Sequence, residues 1–205
     1  MSAETVLSVS NWLRKYIEIV GKVGSFFILP LIFVTMWDVT MRKMGGAQYW
    51  LITNFGSVFE STKIQEWEWH FHTMLFTMVL GYGFIANRHI RVDLVRERLS
   101  VRAQAWIEFL GTTFFMIPFC AVVGFFAFVM VVDSYNIGEI SASTVGLCCR
   151  WIIRSFLVVG LLIAGFSGIA VWLQTVVVLF GPKDLRFPLM TLQWPEEEQK
   201  RTRVN

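Results

Sequence analysis

The residues of this 205-residue chain best suited to hold a metal, a haem or a redox disulfide are three histidines and three cysteines. His70 and His72 are two positions apart, so on one helix they point to different faces. His89 lies beyond a hydrophobic stretch, on the opposite side of any membrane that stretch would cross, so paired axial haem ligands are not expected. Cys148 and Cys149 are adjacent, Cys120 is alone, and there is no CxxC. Adjacent cysteines close only a strained ring, so the pair reads as small apolar residues rather than a thiol-redox catalyst. Phosphate loops, nucleophile elbows and zinc spacings are also missing from the sequence. No catalytic, cofactor or metal site is expected, and the chain is not expected to be an enzyme.

Charged and small residues carry more pattern. NRHIRVDLVRERLS, Asn87 to Ser100, places four arginines and two acidic residues between two apolar runs. In an extended piece Arg91 and Asp93 would share one side and Ile90 and Val92 the other, with a helix starting at Ser100. Glu66, His70, Thr73, Thr77 and Gly81 recur at spacings of four, three, four and four. That draws a polar and small-residue stripe down one helix face, suited to a protein neighbour rather than lipid. Gly160, Ala164 and Gly168 form a small-xxx-small ridge that lets backbones approach closely. One of these two features is expected inside the bundle and the other against a partner. Pro118 removes a backbone hydrogen bond and should kink its helix.

The elements that position these residues follow from composition: 55% hydrophobic residues, 16% charged and a mean hydropathy of +0.57. Four apolar runs, about 19–39, 69–86, 105–132 and 155–180, are long enough to cross a bilayer core of roughly 30 Å. The first run is too long for a cleavable signal and lacks a small-residue cleavage site, so it is expected to stay in the mature protein. With four crossings, thirteen of the eighteen lysines and arginines fall on the side of the two termini and the second loop, which places that side in the cytoplasm. The fold class expected is an all-α membrane protein with four transmembrane helices and both termini cytoplasmic. A cytoplasmic segment 1–18, a membrane domain 19–180 and a cytoplasmic tail 181–205 make up the chain. In the first outer loop, Leu51, Phe55, Val58 and Phe59 follow helical spacing, which suggests an interfacial amphipathic helix near the aromatic belt of Tyr49, Trp50, Trp67 and Trp69. On the same outer side Glu139, Arg150 and Arg154 flank the last helix. They could steer a docking partner or anchor the helix end. Charges deep inside the runs are missing: Asp38 sits close to the outer end of the first run and Asp133 ends the third. A solute path of the chain's own is therefore not expected.

The string IQEWEWHFHTMLFTMVLGYGFIANRHIRVDLVRERLSVRAQ resembles the small membrane subunit of tripartite ATP-independent periplasmic (TRAP) transporters, the DctQ-like family. Gln65, Glu66, Glu68 and His70 match its glutamate-rich start to the second helix, and His89, Ile90, Arg91, Val92 and Asp93 its H-[IV]-R-V-D sequence. SYNIGEISASTVGLCCRWIIRS matches its later pattern at Ser134, Gly138, Glu139, Ser141, Gly146, Trp151 and Arg154. Arg42 before a glycine-containing turn matches the end of the first helix. Two departures are a longer first loop, Gln48 to Lys63, and the Cys148–Cys149 pair where a proline often stands.

The resemblance implies a non-enzymatic scaffold in the bacterial inner membrane, paired with a large DctM-like subunit that moves an organic acid with sodium ions. A periplasmic binding protein delivers the substrate. Sodium belongs to the large subunit, and membrane lipids but no nucleic acid are the remaining partners. Glu66, Glu68, His70, Thr77, Gly81, His89, Arg91, Asp93, Gly160, Ala164 and Gly168 are the subunit-interface candidates. Glu139, Arg150 and Arg154 are the periplasmic-face candidates. The alternatives are a membrane anchor or electron-transfer subunit of an oxidoreductase, which would need ligand pairs, and a self-sufficient homodimeric exporter, which would need a polar path.

Overall fold

The computed structural model describes residues 3–86, 99–143 and 145–182, with Val101 described by its backbone alone. Seven α-helices follow one another among them: α1 (Ala3–Ser25), α2 (Ile28–Lys43), α3 (Gly45–Phe55), α4 (Ser61–Ile85), α5 (Val101–Gly111), α6 (Ile117–Asn136) and α7 (Arg150–Phe180). Three stretches, Ala3–Lys43, Arg102–Asn136 and Arg150–Phe180, are long and apolar enough to cross a membrane. This is a multi-pass, all-helical membrane protein. Helix α4 is about 37 Å long at 1.5 Å per residue, enough to span. Its first half, with Glu66, Glu68, His70 and His72, keeps it out of that apolar set.

Prolines break the helices by different means. The first apolar run is interrupted at Phe26 and Phe27, because Pro30 has no N–H for the Phe26 carbonyl and its ring crowds that oxygen. The orphaned carbonyl accepts instead from Leu29 N–H at 3.1 Å, one tight turn that separates α1 from α2. Pro118 acts through a π-helical turn, Thr112–Met116, set between α5 and α6 and closed by Ile117 N–H to the Thr112 carbonyl. The ladder widens by one residue just before the proline, so its missing donor is absorbed without a break. Ser100 caps α5 and accepts from Ala103 N–H at 3.4 Å, as its position before the apolar run predicted.

The chain divides into two compact units: the described residues of 1–21, 80–123 and 161–205 form one, and those of 22–79 and 124–160 the other. In the first, Ile17, Ile85 and Ile163 form a core with Leu13, Val20 and Tyr82 around it. A second core joins Ala105, Val178 and Leu179 with Phe109. Two polar ties stitch the same unit: Ser10 donates to the Ala170 carbonyl at 2.8 Å, and the Trp172 indole to Thr113 Oγ1 at 2.9 Å. Close approach sets the register, since a Cβ on Gly81 would fall 2.8 Å from the Ile163 carbonyl oxygen.

The second unit packs α4 on the start of α7 at Gly160, where a Cβ would lie 2.6 Å from Thr77 Cβ and 2.8 Å from its carbonyl oxygen. Its first connector holds α3 and a 3₁₀ turn, Ser57–Phe59. The expected helical spacing from Leu51 to Phe59 ends at Phe55, because Gly56 takes φ +84°, a left-handed backbone that L side chains resist. Phe55 and Phe59 still meet edge to face across that turn, with ring centroids 6.0 Å apart.

Candidate functional site

Helix α4 places Glu66, His70, Thr77 and Gly81 on one buried face, with Thr73 half-buried among them. His72, two positions from His70, is exposed. The threonines turn their hydroxyls back on the helix, Thr73 to the Trp69 carbonyl at 2.8 Å and Thr77 to the Thr73 carbonyl at 2.7 Å. Intrahelical bonding of this kind satisfies polar groups where no water reaches them. His70 Nδ1 lies 2.5 Å from the Glu66 carbonyl oxygen, so Nδ1 carries the proton and donates. Glu68 is half-buried.

Glu66 is the anchor of this face. Its carboxylate accepts from the Ser141 hydroxyl and the Leu147 N–H, both in the connector before α7. The connector is folded on itself by Ser141 N–H donating to the Leu147 carbonyl at 3.1 Å. Gly146 completes the cradle, for a Cβ there would collide with Ser141 and lie 2.6 Å from Glu66 Oε1. Burial pushes the Glu66 carboxyl up. The Leu147 amide, the Ser141 hydroxyl and the nearby Arg150 and His70 more than offset that and hold it below the ordinary carboxylate range.

Beside this cradle, Glu139 pairs with Arg154 at 2.7 Å and approaches Arg150 at 3.7 Å. The Arg150 guanidinium also lies 5.7 Å from the centroid of the Trp69 ring. A cavity of about 240 Å³ opens between Trp69, Thr73, Met130, Arg150, Arg154 and Leu157. The three outer-face candidates are thus tied to one another rather than standing as separate charges. Next to them Cys148 and Cys149 are exposed, with sulfurs 3.2 Å apart. The Cys148 thiol raises the Cys149 thiol above its ordinary value.

Asp38, close to the outer end of the first apolar run, is fully buried. It pairs with Arg42 one turn on and accepts from the Ser61 hydroxyl at 2.7 Å, which ties α2 to the start of α4. The Gln65 side-chain amide, with its oxygen toward Arg42, lies 2.8 Å from the guanidinium. The i,i+4 spacing of Asp38 and Arg42 was a usable signal. No local signal points from Glu66 to Ser141 and Leu147, 75 and 81 residues away.

Gly160, Ala164 and Gly168 are all buried within this one chain, as are Glu66, His70, Thr77 and Gly81 of the stripe on α4, and the two features touch where Gly160 meets Thr77. His89, Arg91 and Asp93 lie outside the described residues. Among the described residues, no cluster of three or more histidine, cysteine or carboxylate side chains could hold a metal ion. The arrangement has one evident capability: it fixes the connector before α7 and the end of α2 onto α4 through buried, charge-assisted hydrogen bonds.

The fold defines a multi-pass helical membrane protein whose buried polar groups hold its own helices and the connector before α7 together. Residues 31–178 match the family described as tripartite ATP-independent periplasmic transporters, DctQ component, and the chain belongs to that family. No curated protein and no solved structure gives a significant match.

Proposed function

We propose that this chain is the scaffold subunit of a sodium-coupled TRAP importer for an organic acid, and that the DctQ family match carries this reading. The chain pairs with a large DctM-like subunit that moves substrate and sodium, receives a periplasmic binding protein on its outer face, and does not itself carry the solute. It sits in the inner membrane with both termini cytoplasmic, α4 as the second of four crossings and α3 at the outer interface.

Physical support comes from where polarity goes. The buried polar side chains of α4 bond to their own helix or to connectors, and no described row of them is left to solvate a moving ion. Large apolar residues face outward on α2 (Phe33, Met36), α6 (Phe119, Phe126) and α7 (Leu162, Phe166), where lipid or a partner helix would cover them. Uptake into sodium-loaded-gradient vesicles tests the reading. The large subunit, this chain and a binding protein together should import an organic acid, and each two-component mixture should not. Import by this chain alone, or a haem band in the purified protein, would overturn it.

A further inference from the structure

We propose that Cys148 and Cys149 form a vicinal dithiol that closes reversibly to a disulfide by exchange with a disulfide oxidant, and that closure loosens the Glu66 cradle. Adjacent side chains on a strand or helix diverge, yet here two exposed sulfurs stand 3.2 Å apart. The cause is Cys149, at φ +61° the one non-glycine residue with positive φ among those described. An L-residue pays about 1–2 kcal/mol for that conformation.

The chemistry balances with one oxidant. One thiolate attacks a sulfur of the oxidant, expelling its first thiolate, and the neighbouring thiolate then attacks the mixed disulfide and expels the second. Two cysteine protons are released, two electrons pass to the oxidant, and one S–S bond forms as another breaks. The resolving sulfur is already in contact, so ring closure outruns capture by a second molecule. A trans peptide fixes the two Cα atoms at about 3.8 Å, below the usual disulfide range of about 4.4–6.8 Å. The bond is therefore strained and easily reduced, which makes it a reversible mark rather than a staple.

Both neighbours of the pair would register the change. Leu147 N–H caps Glu66 on one side, and Arg150 N–H donates to the Glu139 carbonyl at 3.2 Å on the other. Drawing the sulfurs together to about 2.05 Å rotates the peptide between these two anchors.

The test uses the purified full-length chain treated with oxidised glutathione, then alkylated with a maleimide and weighed intact. The expected product has lost two hydrogens and two of its three maleimide additions, with Cys120 still alkylated, and a thiol reductant restores all three. Cys149→Ser should instead hold a stable glutathione adduct on Cys148. Wild-type protein that accumulates glutathione adducts, crosslinks between chains or keeps three reactive thiols overturns the dithiol. Hydrogen exchange at the Leu147 amide should speed up severalfold on oxidation, and an unchanged rate overturns the link to the Glu66 cradle.

Discussion

Replacing Gly160 by alanine tests whether the small-residue ridge works inside this chain. The new Cβ would lie 2.6 Å from Thr77 Cβ, about 0.8 Å short of the 3.4 Å at which ordinary contact begins, and 2.8 Å from the Thr77 carbonyl oxygen. Neither atom is the far end of a flexible side chain, so α4 and α7 must separate locally. Overpacking of this kind costs about 1–3 kcal/mol, against a gain of up to about 1 kcal/mol from replacing a helical glycine. Gly165→Ala is the matched control on the same helix, since its Cβ would meet only Cys120 Cβ at 3.5 Å. Gly168→Ala should fall between them, because the Met116 thioether at 3.2 Å can give way. The two extremes should differ by the overpacking cost, or by about 2–12 °C in Tm at about 2–4 °C per kcal/mol. The measurement is thermal unfolding of the purified chain without partners. Equal Tm values for Gly160→Ala and Gly165→Ala would refute the close approach of α4 and α7.

Glu66→Ala strands the Leu147 amide and the Ser141 hydroxyl, a loss of about 1–3 kcal/mol that hydrogen exchange at Leu147 should report as faster opening. The folded carboxyl is held low, so its contribution is complete above the ordinary carboxylate value and disappears as pH falls through the lower folded one; Leu147 protection that ignores acidification would contradict this. Asp38→Ala should cost about 1–3 kcal/mol, because the Ser61 donor loses its acceptor while Arg42, 49% exposed at its side chain, keeps access to water; unfolding in denaturant measures it, and a change under 0.5 kcal/mol would count against the α2–α4 tie. Arg91→Ala and Asp93→Ala should lower the amount of large subunit that co-purifies, whereas Arg96→Ala and Arg98→Ala should leave it near wild type; equal small effects at all four would mean the loop only sets orientation.

Much of this protein was legible from short-range pattern. Apolar runs announced the long helices, Ser100 announced the start of α5, and the spacing of Glu66, His70, Thr77 and Gly81 announced a single face. Those signals survive because helix period and capping depend on residues within one or two turns. The residue strings from Glu66 to Asp93 pointed to the DctQ family for the same reason, as contiguous sequence. Tertiary structure decided what each face meets. Pro118 demanded some local adjustment, but its environment made that a π turn, while Pro30 split a run that read as continuous. The ridge at Gly160 looked equally fit for a partner or for the bundle interior until Thr77 was found against it. Asp38 resembled a helix-end charge until burial enclosed it with Arg42 and Ser61. Glu66 found its two donors in a connector 75 and 81 residues on, and Cys149 its left-handed backbone at the same corner. Such pairings depend on which backbones come close enough to exclude water, and a one-dimensional pattern carries no record of that distance.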